Sequence, residues 1–184
     1  MKWWIVLIVI LVLVVLYVIS IYNKLVKLRN STSDQWAQID VYLKKRIDLI
    51  PNLVETVKGY AKHEKSTLED VIKARNAFTT ATSISDEIEA NNKITGALNK
   101  LFALSEAYPD LKANENFSSL QNELSNIESS IASARQFYND VVLTYNNVID
   151  MFPSNIIANI FGFKKAKFIE ASCEEERKSP KVSF

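Results

Sequence analysis

The chain has 184 residues, and its three glycines and four prolines are few enough to favour long helices over a many-stranded sheet. All 21 acidic residues and 21 of the 22 basic residues follow position 21, so this part lacks the basic excess of a nucleic-acid-binding protein. A single cysteine, Cys173, excludes a disulfide within the chain.

Residues 3–21 are predicted to form one transmembrane helix, because they contain no charged side chain. At about 1.5 Å per residue the run reaches roughly 28 Å, close to the thickness of a hydrocarbon core. It is longer than the apolar region of a signal peptide and lacks an A-x-A-like cleavage site. We therefore expect an uncleaved anchor over residues 1–21.

Basic residues lie closer behind the anchor than before it. Lys24, Lys27 and Arg29 follow it, whereas Lys2 and the amino terminus precede it. By the positive-inside rule, this difference of about one charge favours a cytoplasmic C-terminal domain.

The helical pattern continues beyond the anchor without a linker rich in Gly, Pro or Ser. Pro51 is expected to kink this first long helix, since it lacks a backbone donor, and Gly59 is expected to lie near its end. The basic run 44–46 is interpreted as a solvated face. Apolar residues at spacings of three and four form the stripe: Trp36, Ile39, Leu43, Ile47, Ile50, Leu53, Val54 and Val57.

Two shorter helices are predicted next. Ser66 with Glu69 three residues later has the pattern of a capping box at a helix start. Ser85, followed by two acidic residues, is expected to cap a third helix, which Pro109 would stop.

A fourth helix is predicted from Asn114, a suitable N-cap, to about residue 151. Its heptad seam is typical of left-handed knobs-into-holes packing, and short connections favour closure within the chain over sharing with a second chain. The seam comprises Phe117, Leu120, Leu124, Ile127, Ile131, Ala134, Tyr138, Val141, Tyr145, Val148 and Phe152.

The predicted fold is all-α: an N-terminal transmembrane helix that continues into an antiparallel up-and-down bundle of about four helices. Two of these helices are long and coiled-coil-like, and the bundle domain covers residues 22–152. Residues 153–171 are expected to form a membrane-proximal short helical segment, and residues 172–184 a polar C-terminal tail.

The segment after the bundle combines apolar and basic residues, as an interfacial segment does. The alternative is an ordinary short helix packed on the base of the bundle. The candidate membrane-surface contacts are Phe161, Phe163, Lys164, Lys165, Lys167 and Phe168.

Three Tyr-Asn pairs form the second candidate site. If the last long helix returns to the membrane end, all three pairs lie near one another, and they are hypothesised to form a partly buried polar network that fixes helix register. The alternative places the tyrosines in the seam and the asparagines in water. The residues are Tyr22, Asn23, Tyr138, Asn139, Tyr145 and Asn146.

Catalytic patterns are not evident in the sequence. His63 is the single histidine, and Thr67 stands where a zinc-protease helix would need the second one. Neither a Gly-rich phosphate loop nor a nucleophile with its base is recognisable. The sequence therefore predicts no catalytic residue, no metal site and no cofactor.

The chain resembles the LemA family of bacterial membrane proteins over nearly its whole length. The resemblance implies a single-pass protein of the bacterial inner membrane with a helical-bundle domain and no enzyme activity. It is carried by IYNKLVKLRN (21–30), WAQIDVYLKKRIDLIPNLVETVKGYAKHE (36–64), EAYPDLKANENF (106–117), ARQFYNDVVLTYN (134–146), FPSNIIANIFGF (152–163) and the closing PKVSF.

These features predict a membrane-tethered interaction or scaffold module. Its expected partners are membrane lipid and other membrane or membrane-associated proteins, not nucleic acid. One alternative is a homo-oligomeric structural or membrane-shaping protein. The other is a ligand carrier or enzyme that uses a pocket of the bundle.

Overall fold

The computed structural model describes residues 2–61 and 64–170, and within these ranges it contains six helices and no strand. The predicted all-α class is confirmed. His63, Cys173 and the predicted tail 172–184 lie outside the described residues. The helices are α1 (Trp3–Tyr60), α2 (Lys65–Thr79), α3 (Ile84–Ser105), α4 (Pro109–Lys112), α5 (Glu115–Asp150) and α6 (Ser154–Ile160).

Helix α1 runs without interruption for 58 residues. It contains an 18-residue window with a mean hydropathy of 3.3, none of which is buried inside the protein. By length and composition this part of α1 can cross a membrane. Pro51 lies within the same helix, and the chain leaves the helix after Tyr60, next to the predicted Gly59.

The starts of the shorter helices differ from the sequence patterns. The capping box predicted at Ser66 is wrong, because α2 already begins at Lys65 and its N-cap residue, Glu64, makes no side-chain cap hydrogen bond. Helix α3 is capped by Ser83, not Ser85. The Ser83 backbone is extended, as an N-cap residue requires. The Ser83 hydroxyl accepts a hydrogen bond from the Asp86 N–H at 3.2 Å.

Helix α5 begins as predicted, since the Asn114 side chain accepts the Phe117 N–H at 2.9 Å. Eight members of its predicted seam are buried: Phe117, Leu124, Ile127, Ile131, Ala134, Tyr138, Tyr145 and Val148. Phe152 is 81% exposed, because α5 ends at Asp150 and the chain turns before the next seam position. Val142 is buried where the spacing predicts Val141.

The described chain forms two compact units, each with parts of α1 and α5. The anchor unit comprises residues 2–39 and 134–169, and the second unit comprises the described residues of 40–133 together with Glu170. Helices α2, α3 and α4 belong to the second unit. Every residue of the two candidate sites belongs to the anchor unit.

Arg46 is a buried charge in the second unit, with 4% of its surface exposed, so the interpretation of residue 46 as solvated is wrong. Its guanidinium donates to Asn91 at 2.9 Å and Thr95 at 3.0 Å on α3, and lies 2.8 Å from the Glu128 carboxylate on α5. A buried cation is tolerated when partners of this kind surround it.

Candidate functional site

The apolar run of α1 meets the rest of the anchor unit at its last turn. Val18 and Ile21 pack against the unit's apolar core, and Leu25, one turn further on, is fully buried in it. The other buried members of this core come from α5, α6 and the chain after α6: Tyr145, Val148, Ile149, Ile157, Ala158 and Phe163. The core therefore begins where the candidate membrane span ends.

Aromatic contacts fix the end of α6 beside α1. The Tyr22 ring makes edge contacts with Phe161 and Phe163, with ring centroids 4.9 Å and 5.7 Å apart. The Arg29 guanidinium lies 5.5 Å from the centroid of the Phe163 ring, within the range of a cation–π interaction. Phe163 is thus a buried core residue, whereas Phe161 is about half exposed.

Helix α6 has one buried and one exposed apolar face. Ile157 and Ala158 face the core, while Ile156 and Ile160, four residues apart on the same helix face, are exposed. Ile160 is 72% exposed and Phe152, just before the helix, is 81% exposed. We call this surface the α6 apolar surface; it consists of Met151, Phe152, Ile156, Ile160 and Phe161.

After α6 the chain becomes extended. Gly162 has φ +71°, a left-handed conformation that glycine adopts without strain, and residues 163–170, the extended segment, are neither helix nor strand. Burial within it repeats every third residue, at Phe163, Ala166 and Ile169. A period of three is that of a polyproline-II-like chain, whereas a pleated strand alternates every second residue.

Two asparagines of α5 hold this segment through its backbone. The Asn146 amide donates to the Ala166 carbonyl and accepts the Ala166 N–H, both at 3.0 Å. The Asn139 amide makes the same pair of bonds with Ile169, both at 2.9 Å. Each side-chain amide therefore satisfies both backbone polar groups of one residue, as a neighbouring strand would.

The spacing of the two asparagines matches the period of the segment. Seven residues of α-helix rise about 10.5 Å, and three residues of a polyproline-II-like chain rise about 9.3 Å. Because the earlier asparagine binds the later segment residue, the segment runs antiparallel to α5. The heptad that places both asparagines on one face of α5 thus also sets the register of the segment.

Two further contacts complete this surface. The Tyr138 hydroxyl donates to the Lys167 carbonyl at 3.1 Å, and burial raises the pKa of Tyr138, so the phenol keeps its donor proton at neutral pH. Lys165 forms an ion pair of 2.8 Å with Asp150. We call the side chains of Tyr138, Asn139, Asn146 and Asp150 the docking face.

The structure distributes the six residues of the hypothesised polar network among four surroundings. Tyr138, Asn139 and Asn146 bind the extended segment, Tyr145 lies in the apolar core, and Tyr22 packs on phenylalanine rings. Burial raises the pKa of Tyr145, and the nearby Arg29 opposes this shift. Asn23 is exposed on α1.

The partners of these asparagines are backbone groups, which no side-chain motif in the sequence marks. The period of three in the segment was a usable signal, but Phe168, apolar and 47% exposed, obscures it. In the ranges that the structure describes, no group of three or more His, Cys, Asp and Glu side chains is arranged to hold a metal ion.

Replacing Asn146 with alanine is expected to release the segment locally. The part-buried N–H and C=O of Ala166 lose two hydrogen bonds worth about 1 kcal/mol each, so exchange of the Ala166 amide hydrogen should accelerate about tenfold or more. Asn147→Ala, at the exposed neighbouring position, is the matched control and should leave that exchange unchanged. Equal exchange in the two variants, measured on the detergent-solubilised chain, would show that the amide does not hold the segment.

Comparison with known proteins identifies a family whose sequence model this chain matches. The LemA family model matches residues 35–184, a range that includes the docking face and the extended segment. Among similar curated proteins, the magnetosome protein MamQ 1 of Paramagnetospirillum magneticum is 26% identical over 175 residues, covering 81% of this chain and 64% of that protein. The protein LemA of Metamycoplasma hominis is 26% identical over 157 residues, covering 82% and 69%.

The magnetosome protein MamQ of Magnetospirillum gryphiswaldense is 24% identical over 173 residues, which cover 80% of this chain and 64% of the relative. The chain therefore spans slightly less than two thirds of the length of the MamQ proteins it matches. Because the family model covers far more than half of the sequence, the resemblance noted from the residues is confirmed: this protein belongs to the LemA family.

Proposed function

We propose that this protein is a membrane-anchored interaction or scaffold module whose anchor unit rests on the bilayer through the α6 apolar surface. The observation that carries the proposal is the contact between the last turn of the apolar run and the core around α6. Helices beyond the membrane would form the predicted up-and-down bundle and present a largely neutral surface to other membrane or membrane-associated proteins.

The position of the α6 apolar surface favours lipid as its neighbour. Tyr22 follows the apolar run directly, and the Phe161 ring lies 4.9 Å from it, so the end of α6 is level with the bilayer boundary. Large apolar side chains left in water lose about 1.5–3 kcal/mol each relative to burial. An amphipathic helix at this height recovers part of that free energy by lying in the interface.

Distance along α1 from Ile21, the end of the apolar run, separates the predicted membrane contacts into those near the bilayer and those far from it. Arg29 is eight residues beyond Ile21, about 12 Å higher, and Trp36 is about 22 Å higher. The Trp36 ring contacts Tyr138, with centroids 6.2 Å apart, and the Tyr138 hydroxyl binds the Lys167 carbonyl. Lys167 therefore lies well above a headgroup layer that is only about 5–8 Å thick.

The proposal accordingly assigns lipid contact to a subset of the predicted residues. Phe161, Lys164 and Lys165 lie at the membrane end, where lysines suit anionic headgroups, and the exposed residues of α6 join them. Phe163 belongs to the core, and Lys167 and Phe168 face water.

The hydrogen bonds that the asparagines of two Tyr-Asn pairs make with the extended segment favour a scaffold over a ligand carrier. A carrier would need their polar groups to line a cavity, but the amides of Asn139 and Asn146 already bond the extended segment at both oxygen and nitrogen. A side-chain amide whose groups are satisfied in this way has little capacity left for a ligand.

A single fluorescent label tests the membrane contact. In a Cys173→Ser background, an environment-sensitive dye on Ile160→Cys in liposomes should emit at shorter wavelength and be quenched by nitroxides on lipid headgroups. The same dye on Phe168→Cys, also an exposed apolar position, is the matched control and should report water. Equal emission and equal quenching at the two positions would rule out contact through α6.

The interaction role is tested by cross-linking the intact chain in cells and purifying it. We expect membrane or membrane-associated proteins to be recovered in fixed proportion to the chain. Recovery of cross-links between copies of the chain alone would contradict the scaffold role and favour the homo-oligomeric alternative.

A further inference from the structure

We propose that the anchor unit binds acidic phospholipids through four lysines at its membrane end, which select lipids by headgroup charge. We call these lysines the basic belt; they are Lys24, Lys27, Lys164 and Lys165. The inference rests on the proposed membrane contact and deepens it. Contact through α6 requires only an apolar bilayer interior, whereas the basic belt requires a negatively charged headgroup.

The two units differ in the sign of their charge. Beyond the apolar run, the anchor unit contains seven basic and three acidic residues, whereas residues 40–133 contain eleven basic and fourteen acidic residues. The chain as a whole has a formal net charge of only +1. Near-neutrality of the whole sequence therefore conceals a basic anchor unit, and a basic surface attracts anionic lipid.

The basic excess is concentrated directly after the apolar run. The first acidic residue of the sequence is Asp34, about 20 Å beyond Ile21 along the helix axis, whereas Lys24 and Lys27 lie only about 4.5 Å and 9 Å beyond it. A headgroup layer is about 5–8 Å thick, and the Debye length at physiological ionic strength is about 8 Å. Both ammonium groups are therefore within electrostatic reach of lipid phosphates.

The fold brings two further lysines to this level from a distant part of the sequence. The Phe163 ring lies 5.7 Å from the Tyr22 ring, centroid to centroid, and its centroid is 5.5 Å from the Arg29 guanidinium. Tyr22 and Arg29 are the first and the eighth residue after the apolar run. The chain that carries Lys164, the next residue after Phe163, therefore begins at the level of Lys24 and Lys27.

The basic belt is open to an anionic ligand. All four lysines are exposed, and in the part of the chain that the structure describes, Lys24, Lys27 and Lys164 form no ion pair with a carboxylate. Lys165 pairs with Asp150, but more than half of each side chain is exposed, so water screens the pair and a phosphate can compete for the ammonium group. Even with this pair counted as neutral, three positive charges remain.

The surroundings of the belt favour lipid over a soluble anion. Phe161 is about half exposed and lies three residues before Lys164, and Ile160, 72% exposed, precedes it. Apolar side chains for the acyl region beside cations for the phosphates are the combination with which interfacial segments bind anionic membranes. Near such a surface each Lys or Arg strengthens binding by about fivefold.

Energy transfer to labelled lipids tests this selection in the full-length chain. In a Cys173→Ser background, a donor dye is placed on Asn30→Cys, an exposed position of α1 outside the belt. The acceptor is carried on an acyl chain of either phosphatidylglycerol or phosphatidylcholine, in liposomes that contain both lipids. At about 0.1 M salt we expect phosphatidylglycerol to be enriched around the chain on the order of fivefold over phosphatidylcholine. The enrichment should disappear near 1 M salt, where the Debye length is about 3 Å.

A pair of double variants separates the belt from the total charge of the chain. Lys24→Gln with Lys164→Gln should reduce the enrichment to about half or less, because two of the belt cations are lost. The matched control, Lys73→Gln with Lys93→Gln, removes the same charge from exposed positions of the second unit and should leave the enrichment unchanged. Equal transfer to the two lipids, or enrichment that both variants change alike, would overturn the proposal.

The result is separable from the contact made by α6. In liposomes of phosphatidylcholine alone, the dye at position 160 reports that contact without any acidic lipid. Short-wavelength emission there, together with equal transfer to the two labelled lipids, would retain the proposed function and reject the basic belt. Emission typical of water at position 160, together with enrichment of phosphatidylglycerol, would do the reverse.

Discussion

The anchor unit depends on the continuity of α1 between its lipid-compatible part and its packed part. Leu25, which is fully buried, comes only four residues after the apolar run ends at Ile21, and both belong to one uninterrupted helix. Because an α-helix satisfies its own backbone in lipid and in a protein core alike, no change of structure is needed at the boundary. The distance of each contact on this part of α1 from Ile21, measured along the helix axis, therefore follows from its residue number.

The extended segment shows how a chain without secondary structure can still be held firmly. A segment without helix or ladder partners leaves its buried N–H and C=O groups to be satisfied by side chains or water. Asn139 and Asn146 supply both kinds of partner from a helix, one amide per segment residue. Heptad spacing on α5 therefore has two consequences: it aligns the apolar residues of the seam, and it places the amides of Asn139 and Asn146 on one face.

Much of this architecture could be predicted from the sequence. The uncharged run at the N-terminus, the cap at Asn114 and the apolar spacing of α5 depend on local physics, which a single sequence contains. Burial of Arg46 could not be predicted in the same way, because its partners are 45 and more residues distant. The same holds for the asparagines of α5, whose partners are main-chain groups 20 and 30 residues further along the chain. The prediction of Ser85 as the cap of α3 was wrong because Ser83 precedes the same acidic residues, which lie in the first turn of the helix.

Continuity of α1 across the boundary is the claim that one distance tests most directly. Spin labels at Ser20 and Gln38, both exposed and both in the anchor unit, are separated by eighteen residues, or about 27 Å along one helix. With Cys173 replaced by serine, pulsed electron paramagnetic resonance of the chain in lipid should give a single narrow distribution near that distance. A broad distribution, or a main distance well below it, would show a break in α1 and contradict the account.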